Sequence, residues 1–275
     1  PRSPLRGAKG STMTGRVALV TGAGRGIGAA TVLALADAGW SVLATDSAAD
    51  DPALPYPMAT PDDLGRLNEQ ARGPGQVRTL IADVRDPAAI EAAVTEAEAR
   101  WGGLDAAIAA AGVMAGGVPL WQLPAGQQQA VLDVNLGGVL TLARAAIPAL
   151  LRRPAPRSGR FLAVASAAAT RGLPMLAAYC AAKAGVAGLV RALAAELADS
   201  GVTANAVSPG STDTPILAES ARLYGLPAAA EFARQQPMGR LLDPAEVAAV
   251  LAFLAGPGSS GMTGAVVPVD GGLAL

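Results

Sequence analysis

The strongest constraint on the fold is a glycine-rich turn, residues 21–28, that stands between a predicted strand and a predicted helix. The strand covers residues 16–21, the helix covers residues 26–38, and a second β-branched run follows at residues 41–45. Glycine allows a chain to turn tightly and to bring backbone N–H groups close to a ligand. The pattern indicates a βαβ unit, in which two parallel strands are joined by a helix that crosses one face of the sheet.

The same alternation continues along the chain. Further short apolar strands, separated by stretches long enough for helices, are predicted at residues 77–82, 106–110, 161–165, 203–206 and 265–269. Strands that alternate with helices in this way are typical of α/β domains with a parallel sheet. We therefore predict a single-domain, Rossmann-like α/β fold: a doubly wound parallel sheet of about seven strands with helices on both faces.

The domain is predicted to cover residues 14–275. Residues 1–13 are basic, contain proline and glycine, and are predicted to be a flexible N-terminal extension. Two segments interrupt the alternation of strands and helices. Residues 47–76 are predicted to be an insertion that forms a cofactor lid, and residues 211–240 a substrate loop, because long excursions at strand ends are often functional. Plain solvated loops are the alternative for both segments.

Composition excludes several classes of function. The chain of 275 residues has 21 basic and 22 acidic side chains, a balance that does not attract nucleic acid or an anionic membrane. It has no histidine and one cysteine, Cys180, so neither a metal site nor a disulfide is predicted. Uncharged stretches at residues 106–132 and 247–269 are broken by glycine and proline, which argues against spanning helices. A cytoplasmic protein is expected.

The glycine-rich turn is predicted to bind the pyrophosphate of a dinucleotide, because a helix N-terminus attracts negative charge. The predicted cofactor-binding residues in this turn are Gly22, Gly24, Arg25, Gly26, Ile27 and Gly28. Asp46 ends the second strand, where a carboxylate can accept hydrogen bonds from the adenosine ribose and repel a 2′-phosphate, so NAD is favoured over NADP. A turn-forming role for Asp46 is the alternative, and Arg25 keeps NADP open.

Asp83 and Val84 follow the third predicted strand and are expected to meet the adenine. Capping of the next helix, just before Pro87, is the alternative role for Asp83.

Tyr179 and Lys183 stand four residues apart, which puts both side chains on one face of a helix. A nearby ammonium favours the phenolate and lowers the pKa of a tyrosine, so Tyr179 can exchange a proton with an alcohol or carbonyl oxygen. Ser166 lies just past a predicted strand, at the sheet edge where such folds bind ligands, and its hydroxyl can orient the same oxygen.

These motifs, in this order, resemble those of the short-chain dehydrogenases/reductases over residues 14–272. The residues that carry the resemblance are those of the turn at 21–28, Asn135, Ser166, Tyr179, Lys183, Pro209 and Gly210. The resemblance implies an NAD-dependent oxidoreductase in which Tyr179 is the general acid/base and Ser166 polarises the substrate oxygen. It also implies that Lys183 binds the nicotinamide ribose and lowers the pKa of Tyr179, and that Asn135 holds a water in a proton relay.

The resemblance also assigns further cofactor-binding residues, which are Ala110, Gly112, Pro209, Gly210, Thr212 and Thr214. It implies that the segment after Pro209 and Gly210, which contains Ser211, Thr212 and Thr214, holds the nicotinamide carboxamide. A turn-and-cap role is the alternative for the threonine hydroxyls. One departure lies at residues 109–112, where Ala-Ala-Ala-Gly replaces the family's usual Asn-Asn-Ala-Gly. The missing asparagines change the support around the cofactor and leave the acid/base group in place.

A narrower resemblance comes from the spacing of Asp46 and Asp83, which stand 37 positions apart. The extra residues, 50–60, resemble the insertion of the mycofactocin-coupled short-chain dehydrogenases. That resemblance implies a nicotinamide cofactor that does not exchange and is recycled in place by a peptide-derived redox carrier. Tyr56 and Met58 are expected to cover the adenine. A loop without effect on cofactor exchange is the alternative.

Apolar residues indicate the substrate class and the assembly. The candidate substrate-contacting residues are Met114, Trp121, Met175, Leu217 and Tyr224. Such an uncharged wall favours a hydrophobic secondary alcohol or ketone. Alanine-rich faces at residues 135–150 and 179–197 are expected to pair between subunits, so a homo-oligomer, with a tetramer favoured, is predicted.

Two alternatives stay open at this point. An ordinary short-chain reductase that exchanges free NAD(P)H, such as a ketoacyl reductase, would use the same residues. A non-catalytic NAD-binding redox sensor would need only the cofactor residues. The complete set of Asn135, Ser166, Tyr179 and Lys183 argues against the sensor.

Overall fold

Seven short strands form one parallel sheet in the computed structural model, which describes residues 15–275. The strands are β1 (Val17–Thr21), β2 (Ser41–Asp46), β3 (Gln76–Ile81), β4 (Ala106–Ala109), β5 (Arg160–Val164), β6 (Thr203–Pro209) and β7 (Val266–Val269). Their order across the sheet is β3-β2-β1-β4-β5-β6-β7. The predicted doubly wound sheet is confirmed. The predicted N-terminal extension, residues 1–13, lies outside the described residues.

Helices connect the strands on both faces of the sheet. Within the described residues they are α1 (Gly26–Asp37), α2 (Pro61–Gly65), α3 (Leu67–Gln70), α4 (Pro87–Trp101), α5 (Ala125–Leu132), α6 (Gly138–Arg152), α7 (Ala177–Glu196), α8 (Pro215–Leu223) and α9 (Pro244–Ala255). A π-helical turn, Asp133–Gly137, joins α5 to α6. Helices α1 and α9 pack on one face, and α4, α6 and α7 on the other.

The central strands β1, β4 and β5 are buried at every residue, because helices cover both faces of the sheet. Their sequences are therefore continuous apolar runs and do not alternate between apolar and polar residues. Since all seven strands are parallel, the loops that leave their carboxyl ends meet at one edge. This edge is where the functional residues gather.

The two long segments predicted as excursions contain helices that the sequence pattern did not indicate. Residues 47–76 include α2 and α3, and Thr60 and Asp63 form a reciprocal N-cap on α2. Leu64 and Leu67 anchor these helices on the face of the sheet that carries α1. Residues 211–240 include α8 and a 3-10 segment, Ala229–Gln235.

Two helical stretches, Ala125–Arg152 and Ala177–Glu196, are long and apolar enough to cross a membrane by length and composition. In the fold they lie against the sheet, where α6 contacts β4 and β5 and α7 contacts β6. Half of the most apolar window of the first stretch and one third of that of the second are buried within the protein.

Candidate active site

A cavity of about 530 Å³ opens at the carboxyl edge of the sheet. Residues that follow β1 to β6 line it, so the predicted cofactor residues and the predicted catalytic residues share one space. The predicted residues that line it at the cofactor end are Gly22, Arg25, Gly26, Ile27, Gly28, Asp46, Asp83, Val84, Ala110, Gly112, Pro209, Gly210, Thr212 and Thr214. Asn135, Ser166, Tyr179 and Lys183 line it as well.

The glycine turn holds the N-terminus of α1 open towards the cavity. Gly22 has a positive φ of 66°, and a Cβ there would lie 2.3 Å from the Cα of Ala111. Helix α1 has no side-chain N-cap and no acidic residue in its first turn, so its first N–H groups have no side-chain partner. Unsatisfied N–H groups at a helix N-terminus suit an anion such as a pyrophosphate.

Gly24 was predicted to bind the cofactor, but it does not line the cavity. Its N–H donates to Oδ2 of Asp46 at 2.9 Å, so it fixes a carboxylate and does not face the ligand space. Oδ1 of Asp46 accepts from the N–H of Ala48 at 3.1 Å. Asp46 therefore forms the turn that was its alternative role, and it also faces the cavity at the end of β2.

Asp83 does not cap the following helix, because Asp86 accepts hydrogen bonds from the first N–H groups of α4. The Asp83 carboxylate instead receives hydrogen bonds from the Arg85 guanidinium, the shortest at 2.6 Å. Burial alone would raise the pKa of Asp83, but these bonds leave it below its ordinary value. The Arg85 guanidinium also bonds Asp51 at 2.5 Å, so one arginine ties the end of β3 to the insertion.

The insertion segment, defined as residues 50–60, is held at two further points. Nη1 of Arg25 donates to the carbonyl of Pro57 at 2.8 Å, which ties the insertion segment to the glycine turn. The hydroxyl of Tyr56 accepts from the N–H of Met114 at 2.8 Å. Met58 lines the cavity, whereas Tyr56 does not. The prediction that Tyr56 covers the adenine is therefore wrong, because its ring packs into the core beside β4.

Tyr179 and Lys183 lie one turn apart on α7, and the Lys183 ammonium is 5.7 Å from the centre of the Tyr179 ring. Nζ of Lys183 donates to the carbonyl of Val164 at 2.8 Å, which anchors it to the end of β5. Ser166 caps the turn after β5 by accepting from the N–H of Ala168 at 3.1 Å. Its hydroxyl also hydrogen-bonds Tyr179.

The expected lowering of the Tyr179 pKa is not produced by the protein alone. Burial raises the pKa of Tyr179 to about 12, and the hydrogen bond from Ser166 offsets only part of that effect. Burial also lowers the pKa of Lys183 to about 8, because the ammonium lies in an apolar environment. The environment of Tyr179 and Lys183 is therefore too apolar to favour the phenolate and the ammonium at the same time.

The lowered pKa of Lys183 predicts that the stability of the protein depends on pH. This pKa is about 8 in the folded protein and 10.5 in an unperturbed chain, so between these values the unfolded chain holds a proton that the folded protein lacks. Raising the pH therefore favours folding. From pH 8 to about pH 10, the free energy of unfolding should rise by about 2 kcal/mol relative to Lys183→Met, measured by urea denaturation. A constant difference between the two proteins would exclude Lys183 as the source.

Asn135 lies in the π-helical turn, and its side-chain amide is occupied on both sides. Oδ1 accepts from the N–H of Val113 at 3.0 Å, and Nδ2 donates to the carbonyl of the same residue at 2.9 Å. The side chain thus ties the loop after β4 to the helix. The sequence analysis predicted that Asn135 holds a water, and it did not predict that the side chain links these two segments.

At the nicotinamide end, Thr214 caps α8 by accepting from the N–H of Leu217 at 3.3 Å, and Thr212 donates to the carbonyl of Gly210 at 3.1 Å. The turn-and-cap alternative therefore holds for both hydroxyls. Gln236 was missed by the sequence analysis. Its buried amide accepts from the N–H of Ser211 at 2.8 Å and so clamps this loop. No local motif marks a glutamine that acts across 25 residues.

At the substrate end, Met114, Leu217 and Tyr224 line the cavity, as predicted. Trp121 and Met175 do not. Trp121 is 84% exposed and lies on a short 3-10 turn, Leu120–Gln122. Met175 has a φ of +61°, and its side chain turns outward. The sequence analysis also missed Arg171, which lines this end.

A doubly wound sheet with a glycine turn, a carboxylate at the end of β2 and a Ser-Tyr-Lys group around one cavity defines a dinucleotide-dependent oxidoreductase. Comparisons with known proteins give the same class. A family model described as Enoyl-(Acyl carrier protein) reductase matches residues 22–274. The chain belongs to the short-chain dehydrogenase/reductase family, and the predicted enzyme class is confirmed.

Individual relatives span nearly the whole chain. The cis-4-hydroxycyclohexanecarboxylate dehydrogenase of Sinomonas cyclohexanicum is 39% identical over 266 residues, covering 96% of this chain and 98% of that protein. The 3-oxoacyl-(acyl-carrier-protein) reductase FabG of Thermotoga maritima is 34% identical and covers 96% and 99%. The crystal structure of carveol dehydrogenase from Mycobacterium avium in complex with NAD is similar with a TM-score of 0.89, at 30% identity, and covers 95% and 98%.

Proposed function

We propose that the protein oxidises a hydrophobic secondary alcohol to a ketone with NAD, or catalyses the reverse reaction. The observation that carries this proposal is the single cavity in which Ser166, Tyr179 and Lys183 share an apolar wall with Met114 and Leu217. The similarity to dehydrogenases of a hydroxylated cyclohexane ring and of carveol supports an alcohol of this kind.

The residues present fit a dinucleotide. The uncapped N-terminus of α1 faces the cavity and suits the pyrophosphate. The Asp46 carboxylate suits the two hydroxyls of an adenosine ribose and disfavours a 2′-phosphate. Arg25, which could have attracted that phosphate, is bonded to Pro57. We therefore propose NAD rather than NADP.

In the proposed oxidation, Ser166 donates a hydrogen bond to the substrate oxygen and Tyr179 accepts the hydroxyl proton. NAD, when bound, supplies the acceptor for the hydride that leaves the carbinol carbon. The products are a ketone, NADH and one proton. The phenolate of Tyr179 requires nearby positive charge, since burial alone disfavours it, and Lys183 lies on the same helix face to provide part of that charge.

We further propose that NAD is held tightly and is recycled without leaving. Two contacts support this proposal by fastening the insertion segment beside the adenosine end, Asp51 to Arg85 and Pro57 to Arg25. A third contact, Tyr56 to Met114, ties the segment to the loop after β4. A carrier of the mycofactocin type would then take up two electrons from NADH, together with a proton, and regenerate NAD. The same proposal includes a cytoplasmic homo-oligomer, with a tetramer favoured.

The alternative is a reductase that exchanges free NAD(P)H, and the similarity to FabG favours it. The two functions differ in cofactor retention. Protein purified without added cofactor should release near-stoichiometric NAD or NADH on denaturation, identified by mass spectrometry and absorbance. An empty protein would favour the exchanging reductase, and NADP in place of NAD would contradict the role of Asp46.

Arg85→Gln should weaken this retention. It removes the bond between the insertion segment and the end of β3, and we expect NAD to dissociate about 5-fold faster, since the pair is only partly exposed. Dissociation can be followed by trapping released NAD with an excess of a second dehydrogenase. Arg152→Gln is the matched control, because it breaks an ion pair with Glu98 that does not border the cavity. Equal rates for both variants would contradict the lid.

A further inference from the structure

The substrate half of the cavity contains one arginine that the mechanism does not use. Arg171 lines the cavity in the loop between β5 and α7, five residues after Ser166 and eight before Tyr179. The other cationic side chains on the cavity wall either lie at the adenosine end, as Arg25 and Arg85 do, or belong to the proposed mechanism, as Lys183 does. Arg25 bonds Pro57, Arg85 bonds Asp51 and Asp83, and Lys183 bonds the carbonyl of Val164.

The Arg171 guanidinium is held in place without being neutralised. Nη1 donates to the carbonyl of Leu273, in the C-terminal turn. That turn is itself organised by Asp270, which accepts from the N–H groups of Gly272 and Ala274 at 2.9 and 3.0 Å. Among the described residues Arg171 forms no ion pair with a carboxylate. Most of its five N–H donors therefore remain free for a ligand.

The position of Arg171 separates it from the phosphates of the cofactor. The adenosine and pyrophosphate residues follow β1, β2 and β3, at one side of the sheet. Arg171 follows β5, on the other side of β4, and shares the cavity wall with Leu173, Leu273 and Phe232. A cation on a largely apolar wall favours a ligand that is apolar over most of its surface and carries one negative charge.

We propose that Arg171 binds a carboxylate of the substrate, so that the preferred substrate is a hydrophobic secondary hydroxy acid whose carboxylate is remote from the carbinol carbon. This inference rests on the proposed alcohol oxidation and narrows its substrate class. Arginine is suited to the task, because its planar guanidinium can bond both oxygens of a carboxylate. The fixed guanidinium would orient the substrate so that its hydroxyl meets Ser166 and Tyr179.

The test compares 4-hydroxycyclohexanecarboxylate with its methyl ester, which has the same ring and hydroxyl but no charge. Initial rates with an artificial electron acceptor give kcat/KM for each compound. We expect the wild-type protein to prefer the acid, and Arg171→Gln to reduce the ratio of acid to ester by about 10-fold. Arg171→Lys should recover part of the preference, because it keeps the charge and loses the two-pronged geometry.

A binding measurement separates this inference from the proposed reaction. Cyclohexanecarboxylate has no hydroxyl to oxidise, and its Kd can be measured by calorimetry with wild-type protein and with Arg171→Gln. We expect binding to weaken by about 10-fold in the variant. If the compound binds in an Arg171-dependent way but neither alcohol is oxidised, the anion site stands and the proposed reaction fails. If both alcohols are oxidised with a ratio that Arg171→Gln does not change, the reaction stands and the anion site is overturned.

Discussion

Tyr179→Phe should lower kcat for alcohol oxidation by about 10²-fold to 10⁴-fold, the range that a positioned general acid/base contributes. The change removes one oxygen atom from a buried side chain and leaves the ring to pack as before. Neither Asp46 nor the N-terminus of α1 is touched, so NAD should remain bound. A single-turnover experiment that follows the absorbance of NADH after addition of a ring alcohol measures the chemical step directly.

Tyr224→Phe is the matched control for this prediction. It removes the same atom from another tyrosine of the cavity, whose hydroxyl donates to the carbonyl of Pro174 at 2.7 Å. We expect its loss in kcat to stay below about 10-fold, since a neutral hydrogen bond at a partly exposed site is weak. A Tyr179→Phe protein that keeps more than about a tenth of the wild-type rate would remove Tyr179 from the acid/base role.

Gly28→Ala should both destabilise the fold and empty the cofactor site. A Cβ at position 28 would lie 2.0 Å from the carbonyl oxygen of Gly22 and 2.8 Å from its carbonyl carbon. Both are backbone atoms of the turn, so relief requires α1 to move away from β1. We expect a loss of about 3 kcal/mol in the free energy of unfolding, at the upper end for overpacking, and loss of copurified NAD.

Gly65→Ala is the corresponding control, because a Cβ at the end of α2 meets no atom within 4 Å. Its unfolding free energy should change by less than about 1 kcal/mol, and its NAD content should match the wild-type protein. Urea denaturation and nucleotide release on the same samples give both readouts. A Gly28→Ala protein with normal stability and full NAD content would show that the turn tolerates expansion.

The elements that the sequence predicted well are those set by neighbouring residues. All seven strands lie within a few residues of their predicted positions. The central strands β1, β4 and β5 are marked by largely apolar runs, because they are buried on both faces of the sheet. The order of β1, the glycine turn and α1 follows from local backbone conformation. The closeness of Tyr179 to Lys183 follows from helical periodicity alone.

The wrong predictions concern residues whose contacts are made with residues distant in the chain, or whose burial depends on the tertiary structure. Gly24 was predicted to face the ligand and instead donates to Asp46, 22 residues away. Tyr56 was predicted to cover the adenine and instead bonds Met114, 58 residues away. Trp121 was placed in the substrate wall from its apolar character alone, although such a residue can equally lie on the surface.

The fold and the acid/base candidate were predictable from the sequence, because both depend on periodicity and on motifs of a few residues. The enzyme class followed from the resemblance of those motifs, taken together, to a known family. The tertiary structure was needed to show which side chains already have a hydrogen-bond or ion-pair partner. It showed that Arg25 and Arg85 fasten the insertion segment, and that burial holds the pKa of Tyr179 high. It also showed that Arg171 has no carboxylate partner among the described residues. The burial of a side chain and its choice of hydrogen-bond partner depend on which distant segments the sheet brings together. A local sequence pattern does not specify those segments.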